Sequence, residues 1–160
     1  MGECVKGDEI PHTDHVALHC QTSDLEVGPD GKWSGLKIDA FRVDDNGISV
    51  NWVEQQPGSF EACFDRTCCL LARLRTVRPK HACGIFKVGD IIQTAAASGR
   101  VVGVIHDPVE GPAPNPAHSL ITGCAPDDDE LLSQFTLLVD LQPFTKAALE
   151  IAKKREKARK

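Results

Sequence analysis

Residues 36–54 read "LKIDAFRVDDNGISVNWVE". Asn46-Gly47 stands between two alternating runs, where a two-residue type I′ turn calls for positive φ at both positions. That turn pairs Asp45 with Ile48, Val43 with Val50, and Phe41 with Trp52. One face then carries Phe41, Val43, Val50 and Trp52 into the core. The other carries Arg42, Asp44, Ser49 and Asn51 toward water or a site. Asn51 and Glu54 are placed where an amide and a carboxylate could face one cleft, against the plainer reading of a polar hairpin face.

The neighbouring segments extend a mixed pattern. "HVALHC" (15–20) alternates like a half-buried strand, although His12, His15 and His19 also fall at helical spacing. "SDLEVGPDGKWSG" (23–35) reads as loop around a Pro29-Asp30-Gly31 turn. "SFEACFDRTCCLLARLRTV" (59–77) carries a helical stripe of Phe60, Cys63, Phe64, Thr67, Leu70, Leu71 and Leu74, with Ser59 as N-cap. "ACGIFKV" (82–88) and "RVVGVIH" (100–106) read as strands about the short helix "DIIQTAAAS" (90–98), a spacing compatible with a parallel crossover. "HSLITG" (118–123) is a further strand. "DDDELLSQFTLLVDLQ" (127–142) is an amphipathic helix capped by Asp127, with Leu131, Leu132, Phe135, Leu138 and Val139 inward. "TKAALEIAKKREKARK" (145–160) is a terminal helix running into a basic tail.

These elements predict an α+β fold: one domain over residues 13–144, a mixed sheet of about five strands, and two or three packed helices. Residues 1–12 are expected as a loose lead-in and 145–160 as a basic C-terminal helix or tail.

Hydrophobic residues make up 41% of the 160-residue chain and charged residues 26%, which is the composition of a globular body. The last ten residues hold six basic side chains and one acidic. That leaves 12 basic and 22 acidic residues, a net charge of −10, in residues 1–150. An acidic body argues against nucleic-acid binding, where phosphate contacts dominate. No apolar run approaches the roughly 20 residues of a membrane span, and the first twelve residues lack a secretory h-region. Seven cysteines, an odd count with two adjacent, suit reduced thiols in a cytoplasm. Cys63, Cys68, His81 and Cys83 do not follow a zinc-ligand spacing.

The chemistry-bearing stretch is "HDPVEGPAPNPAHSLITG" (106–123). If its flanking strands pair antiparallel on a constant sum, His106 and His118 face one another at the neck of a proline-stiffened loop. Their Cβ atoms would then be about 5 Å apart. Asp107 and Asn115 stand beside them as orienting groups. A His pair can act as acid and base on a phosphodiester or nucleotide. With His15 or His19 it could instead hold one divalent transition metal. A third scheme uses Cys20 as a thiol nucleophile with one of these histidines as base. The competing reading is a non-catalytic interaction module that docks a protein partner through the proline-rich loop or the basic tail. The usual nucleotide loops and the G-x-S-x-G and H-E-x-x-H motifs do not occur.

The set "DHVALHC", "ISVNWVE" and "HDPVEGPAPNPAHSLITG" resembles small uncharacterised bacterial proteins, over roughly residues 13–140. The resemblance implies a bacterial cytoplasmic origin and carries no activity, fold or cofactor with it.

Overall fold

The hairpin forms, with its register moved by two residues. Val43 pairs with Ile48 and Asp44 with Gly47, while Trp52 pairs with Val16 instead of Phe41. No non-glycine residue has positive φ among the described residues, so the turn at Asp45-Asn46 is not type I′. Asp44 Oδ1 accepts from the backbone N–H of Asn46 at 2.8 Å and of Gly47 at 3.1 Å, closing a side-chain turn that outcompetes the expected one. A shift of two keeps every side chain on its expected face. Gly47 is required here: its φ is +127°, and a Cβ would lie 2.3 Å from the carbonyl oxygen of Ile121.

The computed structural model describes residues 5–159. In chain order its strands are β1 (His15–Cys20), β2 (Leu25–Val27), β3 (Trp33–Leu36), β4 (Val43–Asp44), β5 (Gly47–Trp52), β6 (Ala82–Lys87), β7 (Gly103–His106), β8 (His118–Thr122) and β9 (Asp140–Pro143). The helices are α1 (Phe60–Leu74), α2 (Val88–Ala97), α3 (Asp129–Thr136) and α4 (Lys146–Ala158). Helix and strand are mixed, as the sequence suggests. The sheet is larger than expected and wholly antiparallel: seven strands in the order β7-β8-β5-β1-β6-β9, with β4 also on β5. The parallel crossover through α2 does not occur, because β6 pairs with β1 and β9 while β7 pairs with β8. Four helices stand where two or three were expected.

Other departures have local causes. The segment read as loop before residue 36 is the β2–β3 hairpin, turning through Gly31 at φ +79°. Helix α3 is capped by Asp128, not Asp127, and stops at Thr136, so residues 140–143 are free to add β9 to the sheet edge. Asp128 also takes two bonds from the Arg100 guanidinium, at 2.9 and 3.0 Å, which fixes it as the cap. Residues 1–4 of the expected lead-in lie outside the described residues. The rest is tied down: Ile10 is 1% exposed, its N–H bonds Val104, and Glu9 bridges to Ile105.

Both faces of the sheet are covered. On one face Val16, Val50, Trp52 and Phe86 pack with α2 and α3. On the other Ala17, Cys83 and Ile85 pack with α1 and α4. Ser59 Oγ caps α1 through Ala62, and Thr145 Oγ1 caps α4 through Ala148. Full burial of a side chain such as Phe86 or Leu71 contributes about 1.5–3 kcal/mol. The α1/α4 face also carries the residues described next.

Candidate active site

The strands β7 and β8 pair on a register one residue away from the expected one. His106 lies opposite Ser119, and Ile105 opposite Leu120. A one-residue change moves alternate side chains to the other face. His106 therefore points into the α2/α3 face, where it is 5% exposed and stands edge-on to Trp52 at 5.3 Å. Its Nε2 donates to the carbonyl of Pro116 at 2.8 Å. His118 points to the α1/α4 face. The two imidazoles do not meet across the neck, and the expected acid–base pair is not formed.

The same register makes Asp107 the residue across from His118. The Asp107 N–H donates to the His118 carbonyl at 2.9 Å, and His118 Nδ1 donates to the Asp107 carbonyl at 2.8 Å. The Asp107 carboxylate is 3.3 Å from Nδ1 and 3.4 Å from Lys6 Nζ. In the tautomer that carries its proton on Nδ1, the Nε2 lone pair accepts from the Ser49 hydroxyl, 3.2 Å away. Ser49 reaches it diagonally, since β5 and β8 pair Ser49 with Leu120 and Asn51 with His118. Strands β5 and β8 and the residue that follows β7 thus bring Ser49, His118 and the Asp107 main-chain carbonyl into one hydrogen-bonded chain, with the Asp107 carboxylate beside it.

Asn115 belongs to this cluster in another role. Its Nδ2 donates to Asn51 Oδ1 at 2.8 Å, so it orients Asn51 and not a histidine. The proline-rich loop holds it there through paired backbone bonds between Val109 and Asn115, each 2.9 Å. Asn51 is buried and lies directly opposite His118.

Ser49 opens onto a cleft of about 180 Å³. Strands β4 and β1 share one edge of β5, β4 covering Gly47–Ile48 and β1 covering Asn51–Trp52. The cleft is the gap left between them, and its polar wall is Ser49, Asn51, His19, Arg42, Arg75 and Asp44. Arg42 is held by Asp24 at 3.0 Å. Burial, then the neighbouring His81 and Arg75, push the His19 imidazole down to about 4, so it is neutral near pH 7. It bonds His81, Nε2 to Nδ1, at 2.9 Å.

His15 has a separate partner. His15 Nδ1 lies 2.7 Å from Glu54, which also accepts from the His15 N–H. Glu54 therefore holds His15 and does not share a cleft with Asn51. The expected metal set His15, His19, His106 and His118 is not brought together. Among the described residues no group of three or more His, Cys, Asp or Glu is arranged to hold a metal ion. The Cys20 scheme is also corrected: the thiol is fully buried, donates to the Leu18 carbonyl at 3.4 Å, and is pushed up to about 12 by burial and by Asp24. It is a protonated core residue.

Sequence reasoning placed His118, Asp107 and Asn115 in the site and missed Ser49 as their partner. The signal was its position on the polar face of the hairpin, two residues before Asn51. Arg42 was on the same face; Arg75 carried no sequence signal. No helix among the described residues is long and apolar enough to cross a membrane. No protein-family model, curated protein or solved structure matches the chain.

Proposed function

We propose that the protein is a hydrolase of small, negatively charged acyl esters, with Ser49 as nucleophile, His118 as general base and Asp107 as the group that holds the imidazole. The observation that carries this reading is the chain from Ser49 Oγ to His118 Nε2 at 3.2 Å and from His118 Nδ1 to the Asp107 main-chain carbonyl at 2.8 Å, with the Asp107 carboxylate 3.3 Å from the same nitrogen. It is the arrangement by which a serine hydroxyl is activated at neutral pH.

As Ser49 Oγ attacks the ester carbonyl carbon, its proton passes to His118 Nε2, and the carbonyl π electrons move onto oxygen. Asn51 Nδ2 is the donor for that oxyanion, aimed by the bond that Asn115 makes to Oδ1. Collapse of the intermediate breaks the bond to the alcohol, which takes the proton from Nε2 and leaves an acyl group on Ser49. Water, deprotonated by the same Nε2, attacks the acyl carbon; the acid departs and Ser49 regains its proton.

Substrate class follows from the cleft. About 180 Å³ takes an acyl group of a few heavy atoms, below the usual volume for larger ligands. Arg75 on its wall favours a second anionic group on that acyl chain, since Arg42 is paired with Asp24 and the Asp44 carboxylate is engaged by the turn. The test is hydrolysis of p-nitrophenyl hemisuccinate against p-nitrophenyl acetate. The hemisuccinate should turn over faster, the Ser49→Ala protein should fall to the solution rate without loss of fold, and Arg75→Gln should remove the preference. Full activity in Ser49→Ala would overturn the assignment.

A further inference from the structure

A second concavity lies between α4 and the turn that carries Val77–Lys80, with a volume of about 760 Å³. Its floor is apolar: Val77 and Phe144 are 5% and 4% exposed, and Leu149 and Ala152 are half-buried. Lys146, Leu149, Glu150, Lys153 and Glu156 line it from α4. Their spacing is that of a single helix face, running about 15 Å along the axis.

The rim has a sign opposite to the body. Arg78, Lys80, Lys146 and Lys153 border the groove against Glu150 and Glu156, on a chain whose residues 1–150 carry a net charge of −10. The Arg78–Glu156 pair is long, 3.9 Å, and 59% exposed on both sides, so it holds Arg78 weakly. Among the described residues Lys80, Lys146 and Lys153 form no ion pair. The cations are distributed over both walls: Lys146 and Lys153 stand about 10 Å apart along α4, while Arg78 and Lys80 face them from the turn. A single-headed amphiphile would engage one of these. A helix with an apolar stripe and carboxylates on both flanks engages all of them, over the length the groove offers.

We propose that this groove docks an acidic amphipathic helix of a partner protein, its apolar stripe on Val77, Phe144, Leu149 and Ala152 and its carboxylates against Lys80, Lys146 and Lys153. This stands independently of the hydrolase reading.

The probe is a fluorescein-labelled synthetic helix of about 15 residues, with leucines at i, i+3, i+4 and i+7 spacing and glutamates flanking them. Anisotropy titration of the full-length protein should show saturable binding that weakens with salt. Lys146→Glu with Lys153→Glu should weaken it about tenfold or more, and Lys80→Glu alone should weaken it measurably. Lys32→Glu, in the β2–β3 turn, should leave it within about twofold. Circular dichroism of each variant confirms the fold. Absence of saturable binding overturns the proposal. So does equal binding of the same helix with lysines in place of glutamates, or saturable binding of oleate where the helix does not bind.

Discussion

The Ser49 hydroxyl donates to Nε2 of His118 across 3.2 Å, although the two residues are 69 positions apart in the chain. They meet because β5 and β8 pair Asn51 with His118, which sets Ser49 on the diagonal. Everything catalytic in this account depends on that register and on the bond from His118 Nδ1 that orients the ring.

Asn115→Ala leaves Asn51 Oδ1 without its donor. Loss of that bond should cost about 1–3 kcal/mol of stability. Ester hydrolysis should fall about tenfold or more in kcat with KM little changed, because the oxyanion donor is misaimed rather than the cleft altered. Asn51→Ala should match it, and the double variant should be no worse than either alone.

Gly47→Ala places a Cβ 2.3 Å from the Ile121 carbonyl oxygen at a φ of +127°. Strain and steric conflict together should lower stability by about 3 kcal/mol or more, read from denaturant unfolding. The displaced β8 carries His118, so this variant should lose hydrolysis as well.

Stability should fall as pH drops from about 6.5 toward 4. The folded state holds the His19 imidazole down to about 4 by burial, and lowers that of His81 for the same reason. In that window the unfolded chain binds more protons than the folded one, so protons favour unfolding. For His19 the loss amounts to roughly 2–3 kcal/mol across the window. About one pH unit above 6.5 both states are neutral at this residue and the effect has faded. His19→Leu should flatten the curve between pH 6.5 and 4 relative to the parent.

Iodoacetamide at neutral pH should leave Cys20 and Cys83 unmodified in the native protein, since both thiols are fully buried and both are pushed upward. Peptide mapping after addition of denaturant should find both alkylated. Native-state labelling of Cys20 would revive the thiol scheme.

The parts of the fold legible in the sequence are those decided locally. Ser59 caps its helix where the pattern of the following residues calls for it, and the chain reverses beside Asn46, although one residue earlier than the Asn46-Gly47 turn expected. Register was not legible. In "RVVGVI" and "HSLITG" the apolar residues are consecutive: Val104 is buried beside half-buried Ile105, and Leu120 and Ile121 are both buried. A sheet covered on both faces removes the period-2 signal that selects one register over its neighbour. The long loop imposes no turn geometry to replace it. That single residue separates a His106–His118 pair from a His118–Asp107 pair. Of the four named site residues, His118, Asp107 and Asn115 belong to the cluster; His106 does not, and Ser49 was not foreseen.

The most direct test is labelling with a fluorophosphonate, which phosphonylates a serine hydroxyl only where a neighbouring base activates it. Tryptic mass spectrometry should find one adduct, on Ser49, formed in the parent protein and absent in folded His118→Ala. An unmodified Ser49 in the parent, or equal labelling of Ser49 without His118, would contradict the account.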